Sequence, residues 1–194
     1  TYAVPKNLIE RQELGGTATD VTFSSIPQTY DHLELTMYAR SDRAVTMDNM
    51  FHNINGDTTA ANYDEQGLNG VSSTVSAYQV AADLFIAKMP GASETANQFG
   101  AATVTFYNYT KTDRHKHYLN ITGNVADNNK RLDIQSKRWE NTAAITTIKV
   151  YPSEGDNFIA GSVFTLRGIN AAPAAATDIE TISGIAAANI EAVN

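Results

Sequence analysis

His115 and His117 flank Lys116 and are the most closely spaced imidazoles in the chain. Two histidines at i and i+2 on an extended segment share one face and could begin a zinc or nickel site. The run Thr112-Asp113-Arg114-His115-Lys116-His117 falls between two strand-like stretches, with no third ligand signalled nearby. The expectation is therefore a polar hairpin tip and no metal. Asn55, Asp57, Asp64 and Glu65 carry oxygens that calcium would accept. Their spacing matches no calcium loop, and Asn, Asp and Gly are also ordinary turn residues. The chain has no cysteine, which excludes disulfides, thiolate metal sites and cysteine nucleophiles. No Gly-x-Ser-x-Gly elbow occurs, nor any glycine-rich phosphate loop of the Walker or dinucleotide type. Neither an enzyme nor a bound cofactor is expected.

Aromatic residues are a better lead for binding. Tyr107, Tyr109, Tyr118 and Trp139 could form a stacking platform for sugars or a protein interface, since tyrosine serves both. The same rings could equally fill a core. Tyr107 and Tyr109, two apart on a strand-like run, should share a face, and for them core and interface remain open. Trp139 is expected in the core.

Bulk properties narrow the partners. The net charge of −7 divides into −7 for residues 1–100, +3 for residues 101–170 and −3 for residues 171–194. No segment is strongly basic, which argues against nucleic acid. An acidic surface of one copy could face a basic surface of another. No apolar run approaches the roughly 20 residues needed to span a bilayer, so no membrane partner is expected. The start lacks the plan of a signal peptide, and Thr1 is small enough to have followed a removed initiator Met. Both fit synthesis in a cytoplasm.

The elements that would position these residues are strands. Residues 145–169 hold two alternating runs around a turn-rich loop. Ile148 and Val150 bracket Lys149. Val163, Thr165, Arg167 and Ile169 lie on one face, with Phe164 and Leu166 on the other. Such period-two patterns mark half-buried strands, and Pro152 should end the first of them. The stretch reads as a closing antiparallel pair. Earlier strands are expected over Leu8 to Leu14 (with one helical turn as an alternative), Val21 to Phe23, Leu33 to Ala39 and Met50 to Asn55. Others follow around Tyr78 and residues 84–86, over Ala101 to Tyr109, and over Tyr118 to Val125. Asn55-Gly56-Asp57 and Asp127-Asn128-Asn129 read as turns. From Thr58 to Gly70 the composition suggests a long loop extending towards residue 76, with Tyr63 and Leu68 as isolated contact anchors. Nine or ten short strands at this spacing predict an all-β, antiparallel, jelly-roll-like β-sandwich over residues 1–170.

Residues 171–194 form an Ala-rich C-terminal tail without aromatics. Ile179, Ile182, Ile185, Ile190 and Val193 are the side chains by which it could dock, either on its own domain or on neighbouring subunits.

Four ordered blocks remain: Phe23-Ser24-Ser25-Ile26-Pro27-Gln28-Thr29-Tyr30 running into Leu33 and Leu35; Asn55-Gly56-Asp57 with Asn62-Tyr63; Phe158 to Ser162; and Phe164 to Ile169. Together they resemble structural proteins of tailed-phage virions, found in head-decoration, fibre and other components. The resemblance covers about residues 8–170. It departs at Arg167, where the family commonly has tyrosine in Leu-Tyr-Gly-Ile. The resemblance implies a non-enzymatic virion protein, most simply a capsid decoration (cement) protein on the head surface. It would contact the major capsid protein or other virion proteins and assemble as a homo-oligomer, for which a homotrimer is expected. A receptor- or glycan-binding fibre module is the alternative. The resemblance brings no catalytic residues.

Overall fold

The computed structural model describes residues 6–125 and 130–170. Among these, twelve strands follow one another: β1 (Lys6–Glu13), β2 (Val21–Phe23), β3 (His32–Ala39), β4 (Met47–Ile54), β5 (Tyr63–Val71), β6 (Thr74–Ala81), β7 (Phe85–Pro90), β8 (Gly100–Tyr107), β9 (Lys116–Val125), β10 (Lys130–Trp139), β11 (Ile148–Pro152) and β12 (Val163–Ile169). Every pairing is antiparallel. The tail residues Ile179, Ile182, Ile185, Ile190 and Val193, and the turn at residues 127–129, lie outside the described residues.

One sheet runs β1-β12-β3-β8-β9-β10-β5-β6 and the other β2-β11-β4-β7. The quartet β1-β12-β3-β8 facing β2-β11-β4-β7 is the strand order of a jelly roll, two interlocked Greek keys. The other four strands are two inserted hairpins. β9-β10 pairs onto β8, and β5-β6 pairs onto β10 through β5, so the larger sheet overhangs the smaller one.

Alternation explains the shared core. Leu33, Leu35 and Met37 of β3, Val104 and Phe106 of β8, and Phe164 and Leu166 of β12 all point inward and are buried. They meet Phe23, Met50, Ile54, Ile148 and Val150 of the smaller sheet. Each such side chain contributes roughly 1.5–3 kcal/mol by leaving water.

Two expectations need correction, and one strand lies where none is expected. β11 and β12 do not pair; β11 lies between β2 and β4, and β12 between β1 and β3. Alternation reveals which face a strand buries but not its neighbour, and residues 153–162 carry the chain across the end of the sandwich. Gly161, at φ 85°, supplies the left-handed residue this crossing needs. The stretch from Thr58 is no long loop, because β5 and β6 form a hairpin turned at Ser72 (φ 54°). Its glycines and asparagines belong to strands whose inner face is polar. β10 carried no strand expectation for the same reason.

Two of the blocks behind the resemblance, the one ending at Tyr30 and the one holding Gly168, meet in space, while Phe158 lies at the opposite end against Ala18 and Ser41. The Tyr30 ring packs over Gly168 so closely that no β-carbon fits there. The Tyr109 hydroxyl donates to the Pro27 carbonyl. Asn55 Oδ1 accepts from the Thr146 and Thr147 amides at 2.8 and 3.0 Å. Asp57 accepts from Asn62 and from the Trp139 indole, both at 2.8 Å. Residues distant in sequence thus tie one end of the sandwich together.

Candidate functional site

The overhang is built inside out. On β9, Asn120, Thr122 and Asn124 point inward and are buried, while Leu119 and Ile121 point to solvent. On β10, Asp133, Gln135 and Lys137 are buried, while Leu132 and Ile134 face outward. A half-buried strand ordinarily does the opposite.

The free edge of β7 accounts for the inward polarity of Asn120 and Thr122. β7 pairs with β4 on one side and has no strand on the other, so its outer carbonyls and amides need partners away from water. Side chains of β9 take that role. Asn120 Nδ2 donates to the Ile86 carbonyl, and Thr122 Oγ1 lies 3.4 Å from both the backbone nitrogen and the oxygen of Lys88. His52 of β4 caps the carbonyl just before β7 a second time: its backbone amide meets the Leu84 oxygen at 2.9 Å and its Nδ1 at 2.8 Å, while Nε2 lies 2.8 Å from the Tyr118 hydroxyl. The carbonyl can only accept, so Nδ1 carries the proton and Nε2 accepts from Tyr118. Burial lowers the His52 pKa to about 3, the charge of Lys137 adds to this, and the Leu84 bond opposes it.

Further along, the polar face opens into a cleft of about 360 Å3 between β7 and the overhang. Phe51, Tyr78 and Phe85 supply its aromatic surface, and Asn49, Lys88 and Arg131 its polar edge. The polar groups hold one another in place. Arg131 makes a bidentate pair with Asp133, both contacts at 2.7 Å. Gln135 donates to the Tyr78 hydroxyl, and Lys88 to Asn49. Lys137 and Glu65 form a buried ion pair behind the cleft. Burial pushes the Lys137 ammonium down, and the carboxylate against it keeps the charged form in place. Rings beside fixed hydrogen-bonding groups are the equipment of a site for a polar, ring-shaped ligand.

On the opposite side, β5, β6, β8, β9 and β10 present a flat face. Between Asp64 and Arg138 at one end and Lys130 at the other, none of its outward positions is charged. Leu68, Leu119, Ile121, Leu132 and Ile134 are between 46% and 55% exposed, so they form one patch and are not scattered single residues.

The residues singled out from sequence are dispersed. His115 and His117 flank Lys116, which turns inward and donates to the Arg114 and Thr142 carbonyls at 3.1 and 2.9 Å. Among the described residues, no three His, Asp or Glu groups are arranged to hold a metal ion. Asn55 and Asp57 serve the end of the sandwich, Asp64 pairs with Arg138, and Glu65 pairs with Lys137. Tyr63 is fully buried, its hydroxyl donating to the Asp57 carbonyl at 2.9 Å, so it is a core residue and not a contact anchor. Leu68 is exposed on the flat face. Tyr107 and Tyr109 do not share a face, because Asn108 between them adopts φ 50°. Tyr109 and Tyr118 are buried, and Tyr107 stays partly exposed against His32 at a ring distance of 5.2 Å. Trp139 is in the core. No sugar platform forms from these rings, and the aromatics of the cleft are Phe51, Tyr78 and Phe85 instead. The sequence signal for the flat face was the alternation of Leu132 and Ile134 with Asp133, Gln135 and Lys137, which fits either orientation.

Comparison with family models, with curated proteins and with solved structures found no match.

Proposed function

We propose that this chain is a non-enzymatic structural component of a tailed-phage virion, a decoration protein that coats the outside of the capsid. The supporting observation is that two of the blocks carrying the resemblance meet through the Tyr30–Gly168 packing at one end of a jelly roll, where Asn55 and Asp57 of a third block make their hydrogen bonds. Jelly rolls recur in viral capsid proteins and in lectins, and that link is an analogy of fold. Many copies acting together turn a modest contact with the shell into firm attachment. The test is immuno-electron microscopy of purified particles with an antibody raised against this chain. Regular labelling of heads is expected. Labelling of tail tips alone, or none on intact particles, refutes the reading.

The cleft favours a second reading, a glycan-binding module. Phe51, Tyr78 and Phe85 offer faces for a sugar ring, with Asn49, Lys88 and Arg131 as its hydrogen-bonding partners. A glycan array would show binding that Arg131→Ala abolishes. Silence across the array leaves only the capsid reading.

A further inference from the structure

We propose that the uncharged outer face of β5, β6, β8, β9 and β10 is where a second copy of this chain packs, sheet face against sheet face. The proposal deepens the structural-protein reading by naming the surface through which copies associate. Register lays the outward residues out in rows. Ala77, Leu68, Ile134, Ile121 and Thr103 form the central row. In the next row Leu132 stands between Gly70 and Gly123, and beside both glycines the space is open. A protruding side chain with a hollow on either side can interdigitate with the same feature turned through a two-fold axis, as facing sheets do at a separation of about 10 Å. Such a contact is self-complementary, which an isologous pair requires.

Charge and size point to the same occupant. Each chain carries −7, so copies repel one another overall and approach best through a face without charge. An acidic or basic partner would find nothing there to pair with. Five strands at about 4.8 Å and three rows about 6.8 Å apart make a footprint of about 24 by 20 Å. Two of these rows are mostly apolar and the third, Gln79, Gln66, Ser136, Leu119 and Thr105, is mostly polar; together they suit the centre of a standard interface, which removes about 800 Å2 from each partner.

Sedimentation equilibrium of the purified full chain tests this, because no particle enters the measurement and failure here is separate from failure of the virion reading. The wild type is expected to form a two-fold dimer, in place of the homotrimer that the resemblance implies. Ile134→Lys should raise the dissociation constant at least about 100-fold, as loss of a central contact does. Ile121→Gln, which adds no charge, should weaken association by about 10-fold or more and serves if the lysine variant fails to fold. Ile182→Asp in the tail should leave association unchanged. A monomeric wild type, a trimer, a dimer indifferent to both face variants, or a dimer lost with Ile182→Asp would each overturn the proposal; the last would make the tail the occupant of the face.

Discussion

Acidification should weaken this fold through one residue, His52. Its neutral ring is fully satisfied, donating to Leu84 and accepting from Tyr118. A second proton would place a donor against a hydroxyl that already donates, inside a buried site. The folded-state pKa is about 3 against the ordinary 6.5. Below pH 6.5 the unfolded chain therefore binds a proton that the folded chain refuses until about pH 3. Stability falls as pH drops through this window, by about 1.4 kcal/mol per unit and about 5 kcal/mol in total. Ordinary carboxylates titrate near 4, so pH 6.5 to 4.5 isolates the effect at about 2–3 kcal/mol. Urea unfolding at successive pH values, followed by the fluorescence of the single, buried Trp139, reads it directly. His52→Gln keeps a donor and an acceptor but takes up no proton. Its absolute stability will be lower, yet its stability should hardly change across that window. A wild type that is flat from pH 6.5 to 4.5, or a His52→Gln protein with the wild-type slope, would refute the reasoning.

Other outcomes follow from the same packing. Lys137→Met alone should cost about 3–5 kcal/mol by stranding the Glu65 carboxylate, and adding Glu65→Leu should restore most of it, as thermal melts would show. Gly168→Ala should cost about 1–3 kcal/mol by driving a methyl group into the Tyr30 ring. Combined with Tyr30→Ala the loss should be less than additive in urea titrations. Asn55→Ala should cost about 2–3 kcal/mol, because it removes an acceptor for two amides and strains a residue at φ 53°.

Much of the jelly roll was legible in the sequence. Leu33, Leu35 and Met37, or Phe164 and Leu166, alternate with residues outside the apolar core, although Glu34 and Thr165 among these are buried as well. What local pattern does not contain is the partner strand. β11 and β12 are consecutive and both alternate cleanly, yet loop geometry sends them to different sheets. The overhang was harder to read. Leu119 and Ile121 look like core residues until the edge of β7 is known to take hydrogen bonds from Asn120 and Thr122. Lys137 and Glu65 are buried only because each has the other, a relation between strands more than 70 residues apart. The cleft was missed on similar grounds, since Phe51, Tyr78 and Phe85 come from three strands of two sheets.

The smaller sheet has one more property, which concerns what it prevents. Its outer strands are β2 and β7, and each is stoppered by side chains from the facing sheet. Gln12 of β1 donates to the Thr22 carbonyl at 3.0 Å, and Asn120 and Thr122 occupy β7. An extended segment from another molecule that tried to lengthen this sheet would first have to displace those amides and that hydroxyl. Runaway fibre growth is thereby blocked on this layer, and a protein crowded at high local density can remain discrete.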